Sequence, residues 1–236
     1  EFRVNRGIME TLTETIEYKL RDEQAQAVEL TNDYRKLHEQ GEYLWNAKPR
    51  FGKTLAAYDL CKLANAQRVL IVTNRPAISN SWYSDYVKFL GTQSGYWFVS
   101  NTDSLQNKPY VVSRKDFVDF IINLSEDAEV PREIRFVSLQ DLKGSIYANG
   151  KYDKLKDVFE REWDVLIIDE AHEGVDTIKS ENMLGRINRK FTLHLSGTPF
   201  KALANEKFSK DAIFNWTYVD EQNKKEKWIG EPGENN

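Results

Sequence analysis

Short aliphatic runs alternate with segments of helical spacing along most of this chain. Apolar residues three or four positions apart predict a first helix over residues 21–40, and Gly41 ends it. The same criteria predict further helices at 53–63, 79–90, 114–124 and 151–160. Strands are predicted where the apolar runs are short and nearly unbroken, at 43–45, 68–73, 96–100, 134–138, 163–168 and 191–195.

This alternation predicts an α/β domain with a mostly parallel sheet and helices on both faces, because strands buried on both sides are continuously apolar. The candidate sites described below follow predicted strands, and open α/β sheets bind ligands at the C-terminal ends of their strands. The pattern weakens after Phe200. Residues 228–236 are polar with Gly and Pro, which predicts a loose tail.

Composition narrows the class of protein. A content of 40% hydrophobic and 12% aromatic residues supplies an ordinary core. The longest apolar runs, such as residues 69–72, are too short for a bilayer, and no signal peptide is visible, so we expect no membrane partner and a cytoplasmic protein. A single cysteine, Cys61, excludes an internal disulfide and fits a reducing compartment. The net charge of −4 gives no reason to expect nucleic acid, so that inference depends on motifs.

A phosphate-binding loop is predicted between the first strand and the second helix. Its residues end in Gly-Lys-Thr: Ala47, Lys48, Pro49, Arg50, Phe51, Gly52, Lys53 and Thr54. Backbone N–H groups at a helix N-terminus bind phosphate oxygens, and Gly52 lets the backbone approach them. We expect Lys53 to reach the β and γ phosphates and the Thr54 hydroxyl to ligate Mg²⁺. The alternative is a chance lysine–threonine pair at a helix start.

Two carboxylates, Asp169 and Glu170, follow the strand predicted at 163–168. For hydrolysis of a nucleoside triphosphate, Asp169 would hold Mg²⁺ through water and Glu170 would orient or deprotonate the attacking water. The alternative is a solvated turn. His172 follows this pair and would link the nucleotide to its surroundings, or it is an ordinary loop histidine. Three histidines and one cysteine offer no zinc site.

Four motifs in a consistent order resemble those of superfamily 2 helicases. Asp169-Glu170-Ala171-His172 matches the DEAH box, and Ser196-Gly197-Thr198-Pro199 is similar to motif III. Over residues 18–202, the chain most resembles the helicase-type subunits of type I and type III restriction enzymes. The resemblance implies a RecA-like P-loop NTPase that uses ATP and Mg²⁺ to move along or unwind duplex DNA. Arg50 and Phe51 depart from the usual small residues of the loop, which leaves its conformation open.

The resemblance also implies roles for residues outside these motifs. Gln24 corresponds to a glutamine that reads adenine, since its amide can donate and accept; the alternative is a plain helix-surface residue. Contacts with the nucleic-acid backbone are implied for Thr73, Asn74, Arg75, Ser138 and Gln140. Ser196 and Thr198 would couple the nucleotide state to movement of a second domain.

Such motors contain two RecA-like domains with the nucleotide between them. We therefore expect an N-terminal arm at 1–19, the first RecA-like domain at 20–202, and an extension at 203–236 that leads to a second domain in a longer chain. The start at Glu1 instead of methionine agrees with a fragment or processed chain. The resemblance to restriction enzymes also implies methyltransferase or nuclease subunits as partners. The sequence contains no convincing nuclease constellation, so any nuclease is expected elsewhere in the protein.

Other interpretations stay open. Residues 182–189 look like the arginine-finger motif, but they precede motif III and carry asparagine in place of glutamine, so we interpret their arginines as solvated. An RNA helicase would share the DEAH box. A nucleotide-gated binding module would bind ATP without hydrolysis stimulated by nucleic acid. A small-molecule kinase is disfavoured because the DEAH box and motif III have no role there.

Overall fold

The computed structural model of the protein describes residues 18–74, 76–91, 94–169, 178–197 and 207–227. Its helices are α1 (Asp22–Leu37), α2 (Lys53–Leu63), α3 (Ser79–Phe89), α4 (Arg114–Ile122), α5 (Leu139–Gly144), α6 (Lys156–Glu160), α7 (Ile178–Gly185) and α8 (Tyr218–Lys227). Its strands are β1 (Glu42–Ala47), β2 (Arg68–Thr73), β3 (Tyr96–Val99), β4 (Val111–Val112), β5 (Arg132–Ser138), β6 (Val165–Asp169), β7 (Thr192–Ser196) and β8 (Ile213–Trp216).

These strands form one sheet in the order β4-β3-β5-β2-β6-β7-β1-β8. Each pairing within it is parallel. The mostly parallel α/β sheet that the sequence predicts is thereby confirmed. Among the residues that the structure describes, no helix combines the length and apolar character needed to cross a membrane.

The sheet has a hydrophobic core on each face. Along β2, Val69 and Ile71 belong to one core, whereas Leu70 and Val72 belong to the other, as the two-residue repeat of a strand requires. Helices α1, α2 and α3 supply residues to the first core, and α5, α6 and α7 supply residues to the second. The prediction of helices on both faces is confirmed.

The structure contains elements that the sequence pattern does not predict. Helix α2 and strand β2 match their predicted ranges, but α6 begins five residues later than the predicted helix at 151–160. β8 pairs with β1 from Leu44–Ile213 to Ala47–Trp216, so the sheet continues beyond Phe200. β8 is a four-residue edge strand with Asn215 at its centre, and it lacks the unbroken apolar run of an interior strand. The expected tail at 228–236 lies outside the described residues.

A hydrogen-bonded ion cluster joins β1 to β7. Glu42 Oε2 bonds His194 Nε2 at 2.8 Å, and its Oε1 accepts from Arg189 at 3.2 Å. Arg186 donates to the Tyr147 carbonyl at 3.2 Å. The interpretation of these arginines as solvated is therefore wrong for Arg189, whose side chain is 19% exposed and structural.

We expect acidification to lower the free energy of unfolding through His194 and Glu42. Burial lowers the pKa of His194 below 6.5, and its hydrogen bond to Glu42 lowers the pKa of that carboxyl to about 2. The unfolded chain therefore binds more protons than the folded chain, at His194 below pH 6.5 and at Glu42 below pH 4.5. Urea unfolding at a series of pH values from above 6.5 to below 4.5 measures this loss of unfolding free energy. His194→Gln should flatten the upper part of the curve, and an unchanged slope would show that His194 does not cause it.

Candidate functional site

Polar residues end neighbouring strands at one edge of the sheet. Thr73, at the end of β2, lies in register between Ser138 of β5 and Asp169 of β6. Ser196, at the end of β7, is the register partner of Asn46 in β1. Because the strands are parallel, their C-terminal ends meet here, at the position where open α/β sheets bind ligands. Candidates from distant parts of the sequence thus share one edge.

The phosphate-loop candidate runs from the end of β1 to the start of α2. Gly52 precedes the helix in a left-handed conformation (φ +82°), and a Cβ there would lie 2.3 Å from Gln24 Nε2. A side chain here would be strained by the left-handed backbone and would displace the Gln24 amide, so the position favours glycine. Lys53 Nζ donates to the Ala47 carbonyl across the loop at 2.8 Å. The first turn of α2 contains no acidic residue, so its N-terminus presents backbone N–H groups and a positive dipole end to an anion.

The start of α1 is bonded to this loop through two side chains. Gln24 is 5% exposed, its Nε2 donates to the Phe51 carbonyl at 2.7 Å, and its Oε1 accepts from the Arg21 N–H at 2.9 Å. Arg21 Nη2 donates to the Phe51 carbonyl at 2.6 Å and to the Arg50 carbonyl at 3.3 Å. Gln24 is therefore not a plain helix-surface residue. The role of Arg21 was missed, although it lies three residues before Gln24.

The two unusual loop residues have structural explanations. Arg50 adopts a left-handed conformation (φ +68°) where glycine is common, and Arg21 bonds its carbonyl. The Phe51 ring is buried, with its centroid 5.8 Å from that of Phe214 and 6.4 Å from that of Trp216 in β8. Phe51 thus anchors the loop to the strand that the sequence pattern does not predict.

Helix α8 also contacts the loop. Lys48 forms an ion pair with Glu221, and its ammonium lies 5.4 Å from the centre of the Tyr218 ring. Lys224 of the same helix pairs with Glu23 of α1 at 2.5 Å. The Lys48 side chain therefore contacts α8, and the Phe51 side chain contacts β8. These two residues can contribute to phosphate binding only through their backbone groups.

Removing the Phe51 ring should destabilise the protein. Phe51→Ala leaves a cavity against Phe214 and Trp216, and such substitutions cost about 3–5 kcal/mol of unfolding free energy. Urea denaturation followed by circular dichroism measures this. Ile122→Ala is the control, since Ile122 is 74% exposed and its loss should change stability by less than about 0.5 kcal/mol. Equal effects of the two changes would contradict the anchoring role of Phe51.

Asp169 ends β6 and is 7% exposed. Its Oδ2 accepts a hydrogen bond from the indole Nε1 of Trp82 in α3 at 2.7 Å. The Trp82 carbonyl in turn accepts from the Tyr58 hydroxyl of α2 at 2.8 Å. Sequence reasoning missed Trp82 and Tyr58, because aromatic residues at helical spacing are typical of a core and give no sign of a polar contact.

The donor set fits Mg²⁺ bound together with a nucleotide. Thr54 offers a hydroxyl and Asp169 a carboxylate, and Mg²⁺ is commonly held by one or two protein oxygens plus phosphates and water. Within the described ranges, no group of three or more His, Cys, Asp or Glu residues could hold a metal ion by itself. The protein oxygens therefore suit a metal that arrives with phosphate ligands.

The nucleic-acid candidates differ in accessibility. Asn74 and Gln140 are exposed, whereas Thr73 is 1% exposed. Ser138 caps α5, since its Oγ accepts from the Asp141 N–H and donates to the Asp141 carboxylate, both at 3.0 Å. Asn74 and Gln140 are thus the accessible members of this group.

Several predicted residues lie outside the described part of the chain. They are Arg75, Glu170, Ala171, His172, Thr198 and Pro199. Their roles stay predictions from the sequence. For the motifs at 169–172 and 196–199, the structure describes the first residues. Asp169 ends β6, and Ser196 ends β7 and is fully buried.

Comparisons with known proteins agree with this architecture. The family described as "Type III restriction enzyme, res subunit" matches residues 17–201. A Mycoplasma pneumoniae protein, named "Putative type II restriction enzyme and methyltransferase RM.MpnORF110P C-terminus", is 28% identical over 258 residues. That match covers 88% of this chain and 32% of the relative, so the chain spans about a third of the relative's length.

Solved structures share the fold at low sequence identity. The nuclease-deletion mutant of the type ISP restriction-modification enzyme LlaGI, in complex with a DNA substrate mimic, has a TM-score of 0.62 and 16% identity, with 89% of this chain and 21% of that chain covered. The Sulfolobus solfataricus SWI2/SNF2 ATPase core in complex with dsDNA has a TM-score of 0.57 and 18% identity, with 82% and 35% covered. At such identities the likeness concerns the fold alone.

Proposed function

The chain belongs to the family of the res subunit of type III restriction enzymes, and on this premise we propose that it is the ATP-binding first motor domain of a DNA translocase or helicase. The fold is that of a superfamily 2 helicase motor domain, which implies nucleotide hydrolysis in general. The observation that carries the proposal is the position of two groups at one sheet edge. The loop with Gly52 and Lys53 opens there, and the Asp169 carboxylate ends a strand there.

Each loop residue has a task in this proposal. The backbone N–H groups at the start of α2 bind phosphate oxygens, and the Lys53 ammonium exchanges the Ala47 carbonyl for the β and γ phosphates. Thr54 and Asp169 would hold Mg²⁺, which when bound supplies positive charge that offsets the negative charge developing on the phosphates. Glu170 follows Asp169 and orients or deprotonates the attacking water.

Gln24 connects adenine to the loop in this proposal. One amide N–H and one oxygen lone pair are engaged by Phe51 and Arg21. A glutamine amide has a second N–H and a second lone pair, which are the groups left for adenine. The Gln24 amide that would bind adenine is therefore the same group that donates to the Phe51 carbonyl in the loop.

Duplex DNA is the nucleic acid along which we propose that the motor moves. The exposed Asn74 and Gln140 follow strands at the nucleotide edge, where they can contact a phosphate backbone. The names of the M. pneumoniae protein and of LlaGI both refer to restriction, and LlaGI is bound to a DNA mimic. These relatives support a restriction-modification context with a methyltransferase or nuclease as partner. A second RecA-like domain would supply the arginine that completes the site, which is worth roughly 10³–10⁵ in rate in related phosphoryl-transfer enzymes.

Hydrolysis of ATP in the presence of different nucleic acids tests this function. The 236-residue chain and a natural chain that extends beyond residue 236 are assayed with duplex DNA, with RNA and with neither. We expect duplex DNA to stimulate the longer chain and the 236-residue chain to hydrolyse ATP slowly. Stimulation by RNA alone would identify an RNA helicase. ATP binding without stimulation by either would identify a nucleotide-gated module.

A further inference from the structure

We propose that Trp82 is a positioning residue for Asp169, whose carboxylate it holds in the orientation needed to bind Mg²⁺ with the nucleotide. This inference rests on the proposed function. It adds a residue of α3, far from the phosphate loop and from the DEAH box in sequence, to the support of the metal site. It also assigns Tyr58 as the group that holds Trp82.

The Trp82 indole approaches the Asp169 carboxylate from inside the core. Its Oδ2 accepts from the Trp82 indole at 2.7 Å, within a buried contact. Asp169 and Trp82 lie on the same face of the sheet, since alternation along β6 places Val165 and Ile167 in the core that also contains Trp82. The indole therefore restrains the orientation of the Asp169 side chain from the core side.

Trp82 is itself held in place from the phosphate helix. The Trp82 and Tyr58 rings pack edge to face, with centroids 5.4 Å apart and an interplanar angle of 88°. Both side chains are at most 1% exposed, and the Tyr58 hydroxyl bonds the Trp82 carbonyl. Tyr58 lies four residues after Thr54 on α2, one turn further along the same face. This contact chain connects α2, the helix that begins at Lys53, to the Asp169 carboxylate through two buried aromatic side chains.

The chemistry of indole suits this task. An indole N–H can donate but cannot accept, so it orients a carboxylate without competing for the metal. It also carries no charge, so it does not neutralise Asp169 as a lysine or arginine would. Hydrogen-bond partners behind metal ligands commonly change metal affinity or activity by about 10–100-fold when they are removed. The alternative role of Trp82 is purely structural, as a core residue whose N–H needs an acceptor.

Calorimetric titration of the 236-residue chain distinguishes these roles. The dissociation constant for ATP is measured once with Mg²⁺ and once with EDTA. The constant in EDTA divided by the constant with Mg²⁺ gives the contribution of the metal to binding. Trp82→Phe keeps an aromatic ring and removes the N–H. Trp163→Phe is the matched control, because Trp163 is also fully buried and donates to the Val158 carbonyl at 2.9 Å, just before the opposite end of β6. Asp169→Asn sets the scale for loss of the metal ligand.

We expect Trp82→Phe to lower this ratio about tenfold or more without changing its dissociation constant in EDTA. Trp163→Phe should leave the ratio at the value of the unmodified chain. Equal ratios for Trp82→Phe and Trp163→Phe would overturn the positioning role. Absence of ATP binding by the unmodified chain would instead overturn the proposed function. If Trp82→Phe fails to fold, Tyr58→Phe tests the same contact chain, since loss of the hydroxyl should lower the ratio in the same direction. An unchanged ratio in Tyr58→Phe would then reject the inference.

Discussion

Replacing Lys53 with alanine should weaken binding of Mg·ATP by about 100-fold or more. The ammonium lies at the N-terminus of α2 and donates to the Ala47 carbonyl across the loop, so it already faces the place assigned to phosphate. A hydrogen bond to a charged group contributes about 1.5–3 kcal/mol. Lys53 is assigned to both the β and γ phosphates, so its removal costs about 3 kcal/mol or more, which weakens binding more than about 100-fold. Isothermal calorimetry with the 236-residue chain measures the constant.

The control for Lys53→Ala is a second lysine on the same helix. Lys62 is exposed in the last turn of α2, with its ammonium 5.3 Å from the centre of the Phe89 ring. Lys62→Ala removes the same charge at the far end of the helix and should leave ATP binding unchanged. If the two variants bind ATP equally well, the loop at 47–54 is not the phosphate site.

Replacing Glu170 with glutamine should stop hydrolysis while ATP stays bound. The substitution keeps the size of the side chain and removes the carboxylate that would accept or orient the proton of water. Loss of a general base typically lowers the rate by about 10²–10⁴-fold. Glu170 directly follows Asp169 in the sequence, and Asp169 ends β6. Single-turnover hydrolysis with duplex DNA, in a chain that includes the proposed second motor domain, measures the chemical step apart from binding.

A surface glutamate provides the comparison. Glu160 ends α6, is well exposed and forms an ion pair with Lys156 at 3.6 Å. Glu160→Gln makes the same chemical change away from the proposed site and should hydrolyse ATP at the unmodified rate. Turnover that survives in Glu170→Gln would show that another group activates water, and loss of ATP binding would show that Glu170 acts on the nucleotide and not on water.

The parts of the fold that the sequence predicts are those with strong local signals. β2 is an aliphatic run, and five of its six residues are buried. α2 begins directly after Gly52, which adopts a left-handed conformation. Parallel pairing then places the ends of β2, β6 and β7 at one edge without further information. Both the sheet and the shared position of Thr73, Asp169 and Ser196 therefore follow from local patterns.

Other features depend on contacts between distant residues. β5 begins at Arg132, two residues earlier than predicted, because Arg132 and Glu133 are charged and precede the apolar run. Glu133 is nevertheless buried, and it pairs with the buried Arg135 at 2.5 Å. The burial of Phe51 depends on β8, more than 160 positions away, and the contact of Trp82 with Asp169 spans 87 positions. A polar pair inside a sheet or a ring inserted into a neighbouring strand leaves no periodic signal in the sequence.

We propose above that the loop at 47–54 and the Asp169 carboxylate form one nucleotide site. A crystal structure of the chain with Mg²⁺ and a non-hydrolysable ATP analogue tests this most directly. We expect the phosphates over the N–H groups at the start of α2, the metal between Thr54 and Asp169, and the Trp82 indole still bonded to Asp169. A nucleotide bound elsewhere, or phosphates held without either Lys53 or Asp169 nearby, would contradict it.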